Sequence, residues 1–269
     1  DSTTAGAFSR TASLRYPGTE LLALPELPTG YTCTPEAAAD LPRLSKETGM
    51  AVMAPCAAVA DSQGNYYNSV AFADKSGRMG AEYRKNILVP FGEYIPLERH
   101  LPLLRRFFPG GMPFKPGEQT VLYDLGKGRR VMPALCYEAV FSGHIRRFVE
   151  RGGNVLVNMV DDAWFGNSPA SLTHLSLALY RAVEYRIPMV RVTNSGAGAF
   201  IQPTGEIVTG TLTPQFRRAI TSAPLFVPQH RSPYLRFGDS WLYGLGLLLV
   251  INEVRQRRRM AASDATRER

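Results

Sequence analysis

Hydrophobic residues in this chain fall into short runs bounded by turn-forming clusters, with amphipathic stretches between them. Glu20 to Leu24 (ELLAL) is an apolar run closed by Pro25 and Glu26, which predicts a buried strand delivering a carboxylate at its C-terminal end. Pro35 to Thr48 reads as a helix carrying Ala37, Ala38, Leu41 and Leu44. Met50 to Val59 and Tyr66 to Ala73 read as strands joined by the turn cluster Asp61-Ser62-Gln63-Gly64. Arg129 to Leu135 predicts another buried strand, with Cys136 directly after it. Phe141 to Arg151 is helical and stops at Gly152-Gly153. Asn154 to Val160 is a strand, Ala170 to Arg186 a helix and Pro188 to Thr193 a strand. Phe200 to Gln202 and Glu206 to Val208, with Pro203-Thr204-Gly205 between them, predict a hairpin. Strands alternate with helices, and pairs of adjacent strands interrupt the alternation. That order points to a layered α/β sandwich rather than a plain doubly wound sheet.

Two stretches depart from this rhythm. Leu97 to Phe114 is rich in Leu, Phe and Pro with arginines interleaved, and reads as a long, partly apolar loop. Trp241 to Ile251 (WLYGLGLLLVI) is apolar throughout but shorter than the roughly 20 residues that cross a bilayer. Its aromatic entry at Trp241 and Tyr243, and the arginines after it, fit a span whose C-terminal end faces the cytoplasm.

At 269 residues the chain can bury a substantial core, and 45% hydrophobic with 20% charged residues reads as globular. The formal net charge is +8, but the tail from Arg255 to Arg269 carries a net +4 of it. The body is only mildly basic, which argues against a nucleic-acid partner. Cys33, Cys56 and Cys136 form no CxxC pair and no short-spaced set with the histidines, so no metal site is expected. Cys33 and Cys56 read as small apolar fillers. Asp1 to Ala12 has no basic or apolar region of a signal peptide and reads as the start of an excised segment.

Three places carry candidate chemistry. Cys136, in VMPALCYE, sits where a strand end would hold a sulfur rigidly at the edge of a sheet. It would need a base or a positive charge nearby to react. Lys85, in RKNILVPFGEYIP, precedes a constrained Val89-Pro90-Phe91-Gly92 turn and Glu93. A lysine in such a place commonly packs its stem on the surface. Buried, it would need a carboxylate partner and could stabilise an oxyanion. Glu26, after its strand, is the third candidate; taken alone it reads as a capping or surface glutamate.

A Glu after a strand, a Lys in RKNILVPFGEYIP and a Cys in LCYE, in that order, resemble the triad of the nitrilase superfamily. The tracts LVPFGEYIP, CYE, DDAWFGNS and RAVEYRIPMVRVTNSGAGAFIQPTG resemble, within it, the apolipoprotein N-acyltransferase family. The resemblance implies a four-layer α-β-β-α sandwich. Cys136 would be the acylated nucleophile, Glu26 the general base and Lys85 the oxyanion-stabilising cation. Glu93, Tyr137 and Glu138 match supporting positions, and Trp164 and Phe165 match a tract expected to form the pocket floor. The implied reaction moves an acyl chain from a phospholipid to the α-amine of a diacylglyceryl-modified lipoprotein, with no cofactor and no metal.

The resemblance further implies a catalytic domain over residues 1–232, without its first strand, on the periplasmic side of a bacterial inner membrane. A C-terminal membrane segment over 233–254 and a basic cytoplasmic tail over 255–269 would follow. Asp161 stands where the family usually has Asn, which puts a local hydrogen bond in question. The competing expectations are a soluble amidase using the same triad on a small carboxamide, and a silent domain that binds a partner or lipid.

Overall fold

The computed structural model describes residues 10–26, 35–98, 100–101, 103–107 and 114–267. The chain divides into two units, Asp1–Gln229 and His230–Arg269.

The first unit is built on two sheets. One has the order β1-β2-β3-β4, from Leu21–Ala23, Ala51–Val59, Tyr66–Ala73 and Tyr83–Arg84. The other has the order β5-β6-β7-β8-β9, from Tyr123–Asp124, Arg130–Leu135, Val155–Val160, Met189–Thr193 and Ala199–Ile201. β1 runs parallel to β2, and β6, β7 and β8 run parallel to one another; the remaining pairs are antiparallel.

The sheets meet face to face. Tyr123 of β5 stacks on Phe72 of β3 with ring centroids 4.4 Å apart, and its hydroxyl donates to the Ala81 carbonyl at 3.0 Å. Helices cover the outer faces. In α1, Pro35–Thr48, Leu41 packs with Val52, Ala54 and Ala73 of the first sheet. The helix α2, Leu104–Phe107, is a single turn inside the stretch expected to be loop, and residues 108–113 lie outside the described residues. On the second sheet lie α3, Ser142–Glu150, and α4, Ala170–Tyr185, which bury Ile145, Phe148, Leu175 and Ala178. The result is the expected α-β-β-α sandwich. Because both faces of each sheet are covered, β2 and β7 are apolar along almost their whole length instead of alternating. The hairpin after β9 is present, its second arm reduced to the Ile201–Ile207 bridge.

One expectation is corrected here. Cys56 is not a filler thiol: it is disulfide-bonded. Cys33 lies outside the described residues.

The second unit starts with a short helix, α5, Pro233–Phe237, capped by Ser232 Oγ, which accepts from the Tyr234 amide at 3.1 Å. It continues into α6, Ser240–Arg267. Leu245, Leu247, Leu248, Leu249 and Val250 of α6 are exposed. Among the described residues no helix is long and apolar enough to cross a membrane.

The sheet geometry places the candidate chemistry. Cys136 follows β6, Asp161 and Asp162 follow β7, and Asn194 follows β8, all at the C-terminal ends of parallel strands where α/β sheets present their ligand sites. Gly117 fixes the approach of Lys85. Its amide donates to the Lys85 carbonyl at 2.7 Å, and a Cβ there would sit 2.5 Å from the Arg84 carbonyl oxygen. Backbone cannot step aside as a flexible side chain can. Gly117→Ala should therefore cost about 1–3 kcal/mol of stability by thermal unfolding and slow any reaction that depends on Lys85. An unchanged melting temperature with full activity would refute this assignment.

Candidate active site

Four side chains from separate segments close into one hydrogen-bonded group. Glu26, three positions past β1, is 7% exposed. Its Oε1 accepts from Asn68 Nδ2 at 2.6 Å, and its Oε2 accepts from the Asp161 amide at 3.1 Å. Lys85 follows β4 and is 1% exposed, not a surface residue. Its Nζ donates to Glu93 Oε1 at 2.7 Å and lies 3.8 Å from Glu26 Oε1. Asn68 Nδ2 also donates to Glu93 Oε1, at 3.0 Å. Glu93 in turn receives the Val89 amide on Oε2 at 2.9 Å, which locks the turn that carries it. That turn is tight enough to place Phe91 at φ 62°, in the left-handed region.

Cys136 opens a 3-10 turn, Cys136–Val140, directly at the end of β6. Its φ is 48°, and it is the free thiol among the described residues. Burial pushes the thiol up to about 12, the Glu26 charge adds to that, and Lys85 and Arg191 act in the opposite direction. Burial likewise holds the Glu26 carboxyl above the ordinary range, with Lys85 and Asn68 opposing. For Lys85, burial works against the charge, yet Glu26 and Glu93 outweigh it and the group stays protonated well past its usual range. The resting site therefore holds a neutral thiol and an ammonium, with the Glu26 carboxyl shifted toward its protonated form.

Glu138 is fully buried and ties the lysine segment to the cysteine turn. Its Oε1 accepts from the Asn86 and Ile87 amides at 2.6 and 3.1 Å, and its Oε2 accepts from the Leu135 amide at 2.8 Å. The Tyr83 hydroxyl adds a bond of 2.8 Å to the same carboxyl. Tyr137 is half-exposed, its ring 5.6 Å from those of His174 and Phe141. The Phe165 ring lies 5.9 Å from His174. Trp164, on a 3-10 turn beyond the sheet end, Ala163–Phe165, is 73% exposed.

The hydrogen bond in question at Asp161 is made. Its Oδ1 accepts from Asn194 Nδ2 at 2.6 Å and from the Ala163 amide at 2.9 Å, roles a carboxylate fills as well as a carboxamide. Asn68, which bridges the two carboxylates, was not anticipated. The only cue was a polar residue inside a strand.

A sequence model of the carbon-nitrogen hydrolase family matches residues 4–225. Similar curated proteins include the apolipoprotein N-acyltransferase of Geobacter metallireducens, 36% identical over 187 residues, covering 69% of this chain and 35% of that protein. The apolipoprotein N-acyltransferase of Haemophilus influenzae is 32% identical over 241 residues, covering 87% of this chain and 46% of that protein. The chain thus spans less than half the length of these relatives. Among solved structures, an amidase from Nesterenkonia sp. superposes with a TM-score of 0.57 at 20% identity, covering 77% of this chain and 78% of the amidase. That likeness concerns the fold.

Glu26 can accept a proton only when ionised, and it is ionised above its own pKa. A raised pKa moves the acid limb of reactivity upward. If Glu26 serves as the base for the Cys136 thiol, a pH profile of Cys136 alkylation should fall off at a pH above the ordinary glutamate value of about 4.3. A midpoint at or below that value would remove Glu26 from this role.

Proposed function

We propose that this chain, which belongs to the carbon-nitrogen hydrolase family, is the catalytic part of an apolipoprotein N-acyltransferase. It would move an acyl chain from a phospholipid, through a Cys136 thioester, to the α-amine of a diacylglyceryl-modified lipoprotein. The observation that carries the acyl-transfer reading is the 32–36% identity shared with apolipoprotein N-acyltransferases, and the buried Lys85 ammonium between Glu26 and Glu93 supports the chemistry of the site.

In the first half-reaction Glu26 takes the Sγ proton as sulfur attacks the ester carbonyl. The oxyanion forms beside Lys85 Nζ and the backbone amides of the 136–140 turn. Such preorganised donors are worth about 3–4 kcal/mol each. The C–O bond then breaks, Glu26 returns the proton to the departing lysophospholipid, and a thioester remains. In the second half the acceptor amine attacks the thioester, Glu26 removes its proton, the C–S bond breaks and the thiol is restored. The sequence needs no metal ion and no nucleotide.

Water would hydrolyse the thioester, so the site needs cover. Leu97, Leu101, Leu103 and Phe107 are all exposed in the stretch that follows the Lys85–Glu93 segment. We assign this stretch to contact with the bilayer surface, where it would serve as a lid. The bonded Cys56 supports an oxidising compartment such as the periplasm. The exposed apolar residues of α6, Leu245, Leu247, Leu248, Leu249 and Val250, support attachment to a membrane surface.

Incubation with phosphatidylethanolamine vesicles should add one acyl chain to the protein by intact mass, and Cys136→Ala should abolish the adduct. Lys85→Arg keeps the charge but changes donor geometry, and should leave little activity. Leu103→Ser with Phe107→Ser should slow acylation from vesicles. No adduct on the wild type, with turnover of a water-soluble amide, would replace this reading with an amidase. Acylation unaffected by the Leu103 and Phe107 changes would remove the lid.

A further inference from the structure

Behind the cysteine lies a second buried network. β6, β7 and β8 set Ala134, Asn158 and Arg191 in one row across the sheet, as Cα partners of successive strands. Polar side chains at the centre of an apolar sheet are costly unless they are paired. Asn158 is fully buried and Arg191 is 2% exposed.

Their bonds have a direction. Arg191 Nη2 donates to Asp162 Oδ2 at 2.9 Å, and Nη1 donates to Asn158 Oδ1 at 2.7 Å. Asp162 is held in place by Ser171 Oγ at 2.7 Å and by His174 Nδ1 at 3.0 Å. A guanidinium has donors only, so it forces the oxygen of the Asn158 amide toward itself and turns the NH2 the other way. That Nδ2 donates to the Cys136 carbonyl at 3.0 Å and to the Ala134 carbonyl at 3.2 Å. The Cys136 carbonyl belongs to the residue at φ 48°, a conformation that costs a residue with a side chain about 1–2 kcal/mol. Strain of this kind persists only where surrounding contacts over-determine it.

We propose that Asn158 and Arg191 are positioning residues for the nucleophile. Arg191 orients the Asn158 amide, and Asn158 clamps the Cys136 carbonyl so that the left-handed turn keeps the sulfur beside Glu26 and Lys85. The inference rests on Cys136 being the nucleophile. The Arg191 charge also favours the thiolate, consistent with its place behind the turn.

The test separates clamping from mere core filling. Asn158→Asp keeps the volume and the acceptor facing Arg191, but sets a carboxylate oxygen against the Cys136 carbonyl in place of a donor. It should keep its melting temperature within a few degrees while alkylation of Cys136 by iodoacetamide slows by about tenfold to a hundredfold. In the vesicle assay kcat should fall by a similar factor with KM unchanged. Arg191→Lys keeps a cation on Asp162 but loses the fork that also reaches Asn158, and should slow alkylation in the same way even if Asn158→Asp does not fold. Alkylation at the wild-type rate in a folded variant of either kind would overturn the proposal. Absence of an acyl adduct on the wild type would instead overturn the acyltransferase reading, while alkylation still reports on the clamp.

Discussion

A single ammonium group buried among carboxylates is the constraint on which the rest of the site depends. Lys85 and Glu26 are buried and Glu93 is half-buried beside them, and a charge at either buried position would be costly alone. Glu26 and Glu93 share Lys85 and the Asn68 amide, so removing any one member leaves a buried group short of a partner. The geometry of the neighbouring chain follows from this. The Val89–Glu93 turn accepts a left-handed Phe91 because Glu93 must reach both Lys85 and the Val89 amide. Glu138 then carries the order from the lysine segment to the cysteine turn through backbone amides on both sides.

The electrostatic balance suits a nucleophile that is activated only when it is used. A thiol kept neutral by burial and by the Glu26 charge is protected at rest. In the proposed reaction the same carboxyl, raised above its usual range, would take the proton as bond formation begins. Lys85 stays cationic well past its usual range, which is what the oxyanion of the proposed reaction would require. The family shares this fold across different reactions, so the choice between acyl transfer and amide hydrolysis rests on the identities shared with the acyltransferases.

Long apolar strands and amphipathic helices were legible because burial on both faces leaves a compositional mark. β2, β6, β7, α3 and α4 lie within one or two residues of where that pattern puts them. The two-residue strands β4 and β5 carry no periodicity, and only tertiary pairing defines them. The candidate residues Glu26, Lys85, Glu93 and Cys136 stood out through resemblance to a family. Local reading alone made Lys85 a surface residue, since its partners come from distant segments. Asn68, Asn158 and Arg191 left little local signal. Each is a polar residue in a strand, and its purpose appears only when the neighbouring strands are in register. Cys56 misled for the same reason, because a thiol in an apolar strand looks alike whether bonded or free.

The charge balance at Lys85 can be tested directly by a double-mutant cycle on unfolding free energy. Lys85→Met alone leaves the buried Glu26 and the half-buried Glu93 without their cation and should destabilise the fold by about 3–5 kcal/mol. Adding Glu26→Gln should recover a substantial part of that loss, giving a coupling energy within the range of about 0.5–3 kcal/mol seen for contacting residues. Strictly additive losses would mean that the ammonium does not hold these carboxylates together, and would contradict the account at its base.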